Sequence, residues 1–158
     1  MAATRLFALH VNKGKSIAQT ITERTDYAEN PDKTRKGELV TGYQCSPITV
    51  DAEFLLSKQQ YADITGRGQG KRDVLAYHIR QSFKPGEITP EESNRLGYEL
   101  AMRFTRGRHT FIVATHIDRK HIHNHVIFNS TTLDCTRKFD DPITVISSIM
   151  TNMLHGNT

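Results

Sequence analysis

"THIDRKHIHNHVIFNS", residues 115–130, sets four of the chain's eight histidines within ten positions, at 116, 121, 123 and 125. The apolar runs HTFIVATHI and HIHNHVIFNS have the β-branched and aromatic content of strands, and the charged residues between them predict a β-hairpin turning over residues 117–120. Side chains on a strand alternate faces, so His121, His123 and His125 share one face with Ile127 and Asn129. The hairpin carries His116 across to that same face. Imidazoles converging from two paired strands are neutral nitrogen donors of the kind that zinc, manganese, nickel or cobalt takes. The bland alternative is a solvated, histidine-rich hairpin. An apolar strand, however, rarely spends three same-face positions on half-charged rings that have no partner. A metal held by neutral ligands keeps its positive charge and suits the polarisation of a phosphate. If it activates water, no side-chain nucleophile is required; otherwise one must come from elsewhere, and Tyr27 in "TDYAENPDKT" is a candidate.

The rest of the chain bounds this chemistry. At 158 residues it is sized for a single domain, 1–158, with 37% hydrophobic and 24% charged residues, as in soluble globular proteins. A net charge of +4 tilts the surface toward polyanions. Cys45 and Cys135 are too few and too far apart for a disulfide framework or a cysteine zinc site. The opening MAATRLFALHVNKGKS lacks the apolar core of a signal peptide, and no stretch approaches a membrane span. A cytoplasmic protein with no membrane partner is the expectation.

Periodicity predicts alternating strands and helices. TRLFALHV (4–11), ELVTGYQC, and VLAYHIRQSF are expected strands. IAQTITERTDYAEN is a helix capped by Ser16 and stopped at Asn30-Pro31; VDAEFLLSKQQYADI is a second. TPEESNRLGYELAMRFTRG is the clearest helix, with Thr89 as N-cap, Pro90 at N1 and Glu92 completing a capping box. TGRGQGKRD is an exposed loop, and the tail after Pro142 carries at most a weak helix. The fold expected is α+β: about five antiparallel strands, helices packed on one face, and the histidine cluster on the other. His10 and His78 are expected to be packed or hydrogen-bonded. Lys33, Arg35, Arg67, Lys71 and Arg72 sit in loops, where they are either solubilising charge or phosphate contacts.

"HIDRKHIHNHVIFNS" resembles the third motif of the mobilisation relaxases of the MobA/MobL (P) type, within the HUH endonucleases. "DYAENPDKT" followed by "GELVTGYQC" is similar to their tyrosine-bearing first motif, and "HIRQSFKPGEITPEESNRLGYELA" to their second. The three stand in family order and span roughly residues 4 to 139. The resemblance implies site- and strand-specific nicking of plasmid or integrative conjugative element DNA at an origin of transfer, through a covalent 5′-phosphotyrosine intermediate, in a bacterial cytoplasm. It implies a divalent cofactor, Mn²⁺ or Mg²⁺ before Zn²⁺, Ni²⁺ or Co²⁺, held by His116, His123 and His125. Tyr27 is then the nucleophile, with Tyr43 next in line; Ser82 contacts DNA near the nick, and Glu87 supports a ligand or the tyrosine's proton transfer. The partners implied are single-stranded or hairpin origin DNA, an accessory DNA-binding protein and the coupling protein of a type IV secretion system.

The chain departs from the family pattern in two ways. Asn124 stands between His123 and His125, whereas His121-Ile122-His123 fits the expected His-hydrophobic-His spacing literally. The run HVIFN favours the later pair and leaves His121 to DNA contact or proton transfer. The family also continues past "LDCTRKFDDP" into a longer chain, so the sequence is expected to be the N-terminal part of a larger protein. Two other functions remain: a non-catalytic single-stranded DNA-binding module, and a three-histidine phosphoesterase that uses water.

Overall fold

Apolar alternation yields five strands in the computed structural model, which describes residues 3–140 apart from Lys71. They are β1 (Ala3–Leu9), β2 (Val40–Tyr43), β3 (Ala76–Ser82), β4 (Phe111–His116) and β5 (His123–Asn129). The helices are α1 (Ile17–Glu29), α2 (Val50–Thr65) and α3 (Pro90–Thr105). All strand pairs are antiparallel in the order β1-β3-β5-β4-β2, so β4 and β5, which carry His116, His123 and His125, lie near the sheet's centre. The fold is the α+β, five-stranded antiparallel arrangement expected. The weak helix placed after Pro142 falls outside the described residues.

The placement of the helices differs from expectation in one respect: they divide between the two faces. On one face α3 lays Leu100, Ala101 and Phe104 over Ile79, Phe111, Val113, Val126 and Phe128. On the other, α1 and α2 bring Ile21, Ala28, Val50 and Phe54 onto Ile112, Ala114, Ile127 and Ala76. This second face is also the histidine face, and it changes character along its length. Its apolar end must be covered, while its histidine end is left for chemistry. Alternation shows which residues share a face but not that one face can be half core and half site.

The caps also divide differently. Thr89 accepts from the Glu92 amide (3.2 Å), but the reciprocal box forms instead at Ser16 and Gln19 (2.9 and 3.1 Å). Polar cross-links fix α2 and α3 to the sheet. The buried Lys58 ammonium donates to Asn129 Oδ1, Ser130 Oγ and Thr131 Oγ1 (3.0–3.2 Å), and burial pulls its pKa down to about 7.

Asn124, the residue that departs from the motif, points away from the histidines into the α3 layer. Its Oδ1 accepts from Ser93 Oγ (3.0 Å) and Thr115 Oγ1 (2.7 Å), and its Nδ2 donates to Gln81 Oε1 (2.9 Å) and the Ser93 carbonyl (2.7 Å). Every hydrogen-bonding position is used, so a polar residue between the two histidines is buried without penalty. The close approach depends on Gly97, where a Cβ would lie 2.7 Å from both Asn124 Nδ2 and Val113 Cγ1. Gly97→Ala should therefore destabilise the fold by about 2 kcal/mol, although alanine is the better helix former by about 1 kcal/mol. Thermal unfolding reads this directly; a melting temperature equal to or above the parent's would contradict it.

Candidate metal centre and nucleophile

Two residues apart on β5, His123 and His125 project to the same face, and the register sets His116 opposite His123 and Ala114 opposite His125. All three rings are buried, and one nitrogen of each lies within 4.8 Å of the others. The hydrogen bonds select those nitrogens. His116 Nε2 donates to the Ala28 carbonyl (2.8 Å) and His123 Nδ1 to the His121 carbonyl (3.1 Å), which leaves lone pairs on His116 Nδ1 and His123 Nε2. His116 Nδ1 and His125 Nε2 are buried with no partner. Orphaned buried nitrogens that converge are what a metal ion would satisfy, so the residues fit such a group. Burial lowers the pKa of all three imidazoles, which keeps them neutral and able to ligate.

His78 backs this cluster. Its Nε2 lies 2.7 Å from His125 Nδ1, and the Arg24 guanidinium lies 3.1 Å from its Nδ1. The expectation that His78 is packed and hydrogen-bonded holds, and burial drives its pKa down to about 4. Its partner, however, is a ligand candidate, which makes His78 the group that orients His125. Arg80 is a second residue missed in the sequence, exposed and paired with His125 in the β3–β5 register. The alternation His78, Arg80, Ser82 in "HIRQS" contained the signal.

Tyr27 stands in the last turn of α1, one residue before the Ala28 carbonyl that receives His116. Its ring meets His125 edge-on at 5.5 Å and His116 at 5.9 Å and is 49% exposed, open to a substrate on one side and against the cluster on the other. Lys33 Nζ lies 5.0 Å from the ring centroid and 4.0 Å from Asp118. Tyr43 is elsewhere: it stacks on Phe111 (5.0 Å) over the α3 side, and its hydroxyl donates to the Gly107 carbonyl (2.9 Å).

The other predicted site residues separate. Ser82 pairs with His123 across β3 and β5, beside the cluster. His121 is not on the strand, because β5 begins at His123 and the hairpin closes over 117–122 rather than 117–120; it is exposed in that loop. Glu87 turns its carboxylate onto the Lys84 amide (2.8 Å) within the turn after β3. Arg35 is paired with Glu91 (2.6 Å). Arg67 and Arg72 sit on the α2–β3 loop, which enters the sheet at Ala76, the end remote from His123; Lys71 falls outside the described residues.

Glu29 is a further residue the sequence did not mark. Burial, then Asp26 and Asp51, raises its pKa to about 7. A carboxyl raised in the folded state favours the protonated form, so its contribution is full below about 4.5 and is lost as pH rises through about 7. Glu29→Gln should match the parent at low pH and exceed it above neutrality by about 1 kcal/mol, allowing for solvent screening of a half-exposed group. Urea titrations across that range test this, and a constant difference would contradict it.

Comparison with known proteins agrees with this geometry. Residues 27–150 match the family model described as Relaxase: MobA/VirD2-like, nuclease domain. The group II intron-interrupted relaxase LtrB of Lactococcus lactis is 35% identical over 139 residues, covering 76% of this chain and 25% of that protein. A protein rlx of Staphylococcus aureus is 34% identical over 140 residues, covering 88% of this chain and 37% of its own length. The chain thus spans between a quarter and two fifths of these relatives, and none of its described helices is long and apolar enough to cross a membrane. On the breadth of the family match and the identity to these two relatives, the chain belongs to the MobA/VirD2-like relaxases and carries their nuclease domain.

Proposed function

We propose that this domain nicks single-stranded DNA at an origin of transfer by transesterification, with Tyr27 as nucleophile. The observation that carries the reading is Tyr27 standing half-exposed against the His116 and His125 rings, where a phosphate could meet both the phenol and the imidazole cluster. His116, His123 and His125 would hold a divalent ion, which when bound withdraws charge from the scissile phosphate. Nitrogen donors favour Mn²⁺ over Mg²⁺, whose preference is for oxygen.

The remaining work falls to the chain. The Tyr27 oxygen forms a bond to phosphorus as the bond to the 3′ oxygen breaks; the phenol's proton ends on that oxygen, giving a 5′-phosphotyrosine and a free 3′-hydroxyl. Lys33, whose Nζ lies 5.0 Å from the ring centroid, is placed to meet the negative charge of the phosphate. Arg80 and Ser82, next to His125 and His123, are placed to hold the strand. Glu87, in the turn after β3, and His121, exposed in the hairpin loop, are secondary aids to proton transfer. The DNA is expected as a hairpin with a single-stranded 3′ extension, delivered with an accessory DNA-binding protein and a coupling protein.

Labelled single-stranded origin DNA incubated with the protein and Mn²⁺ should give a denaturation-resistant protein–DNA adduct. Cleavage without an adduct would mean water is the nucleophile; binding with neither would leave only a DNA-binding module.

A further inference from the structure

Phe7 is 46% exposed, although it stands in β1 on the histidine-bearing face of the sheet. Its register partner is His78, and Arg5 and Arg80, both exposed, form the next pair on that face. The Phe7 ring meets His78 edge-on at 6.3 Å, and the Arg24 guanidinium reaches the same imidazole at 3.1 Å. Arg24 in turn lines a recess of about 310 Å³ with Tyr27, so Arg24 shares one recess with Tyr27 and one imidazole with Phe7. β1 is two strands from β5, which sets Phe7 roughly 10 Å from the histidine strand.

An uncovered aromatic ring flanked by guanidinium groups suits a nucleobase, whose π-face stacks on the ring while the adjoining phosphates meet the cations. We propose that Phe7 is a stacking platform for an unpaired nucleobase of the strand whose phosphate lies at Tyr27, with Arg5 and Arg80 meeting the flanking phosphates. This rests on the reading of the site as one for single-stranded DNA and extends it to a base-binding subsite. It also gives the half-covered face a purpose: α1 and α2 close its apolar end, and the β1–β3 side stays open for the strand.

The chain contains no tryptophan, so Phe7→Trp introduces a single reporter at the platform. Its fluorescence should be quenched on titration with a short oligothymidylate. Phe7→Ala should bind that probe about tenfold more weakly, with the salt dependence unchanged because no phosphate contact is lost. Arg80→Ala should instead reduce the slope of log affinity against log salt by about 0.7. Replacing a half-exposed side chain should leave thermal stability near the parent's, so a fold defect is read separately. An unquenched tryptophan at saturating probe, or parental affinity in Phe7→Ala, overturns the platform. The adduct assay on the parent keeps the two readings apart: an adduct with no quench removes only the platform, and a quench with no adduct removes only the transesterification.

Discussion

Tyr27→Phe should form no covalent adduct with origin DNA, a loss of at least about 10³-fold, while binding metal and DNA as the parent does. The size of the effect follows from what phenylalanine keeps. The ring contacts with His116 and His125 persist, and the ring is half exposed, so stability should change by no more than about 0.5 kcal/mol. Only the oxygen that would become bonded to phosphorus is removed. A phenol is a weak nucleophile, so the phosphate must be made electrophilic, and Lys33 Nζ, 5.0 Å from the ring centroid, is a cation placed to draw charge from it. Lys33→Ala should accordingly slow the adduct without abolishing it. Tyr43→Phe should form adduct at the parent's rate, because that hydroxyl is engaged by the Gly107 carbonyl on the opposite side of the sheet. An adduct of undiminished yield in Tyr27→Phe would exclude the assignment.

Much of this site could be read from the sequence because strand alternation is strict. The period of two in HNHVIFN put His123 and His125 on one face, and the short connection to β4 brought His116 to them. What alternation could not give was anything carried by a different element. That Ala28 of α1 supplies the acceptor for His116, and so fixes Tyr27 beside it, depends on how α1 lies across the sheet. The partnership of His78 with His125 spans 47 residues and needs the β3–β5 register, which no local pattern encodes. His121 lies off the strand because one apolar residue, Ile122, extends the sequence alternation past the strand's first residue, His123, while the chain bends at 121. Asn124 departs from the motif's apolar position, and its partners Ser93, Thr115 and Gln81, on three other elements, are what satisfy it.

The histidine cluster yields the second large effect: replacing His123 or His125 by alanine should weaken Mn²⁺ binding by at least about 100-fold in calorimetry. The two orphaned nitrogens, His116 Nδ1 and His125 Nε2, make this specific, since nothing within the described residues satisfies them. His78→Ala should cost less, about tenfold, because it removes the group that orients His125 rather than a donor to the ion. His121→Ala should cost nothing, as that ring is exposed in the loop and only its carbonyl touches His123. Affinity should fall with acidity as the imidazoles protonate, but burial lowers the pKa of all three, so binding should persist below the ordinary histidine value of 6.5. If His121→Ala abolished binding and His125→Ala left it intact, the ion would be held in the earlier register, by a His121-Ile122-His123 pair that the β5 boundary at His123 argues against.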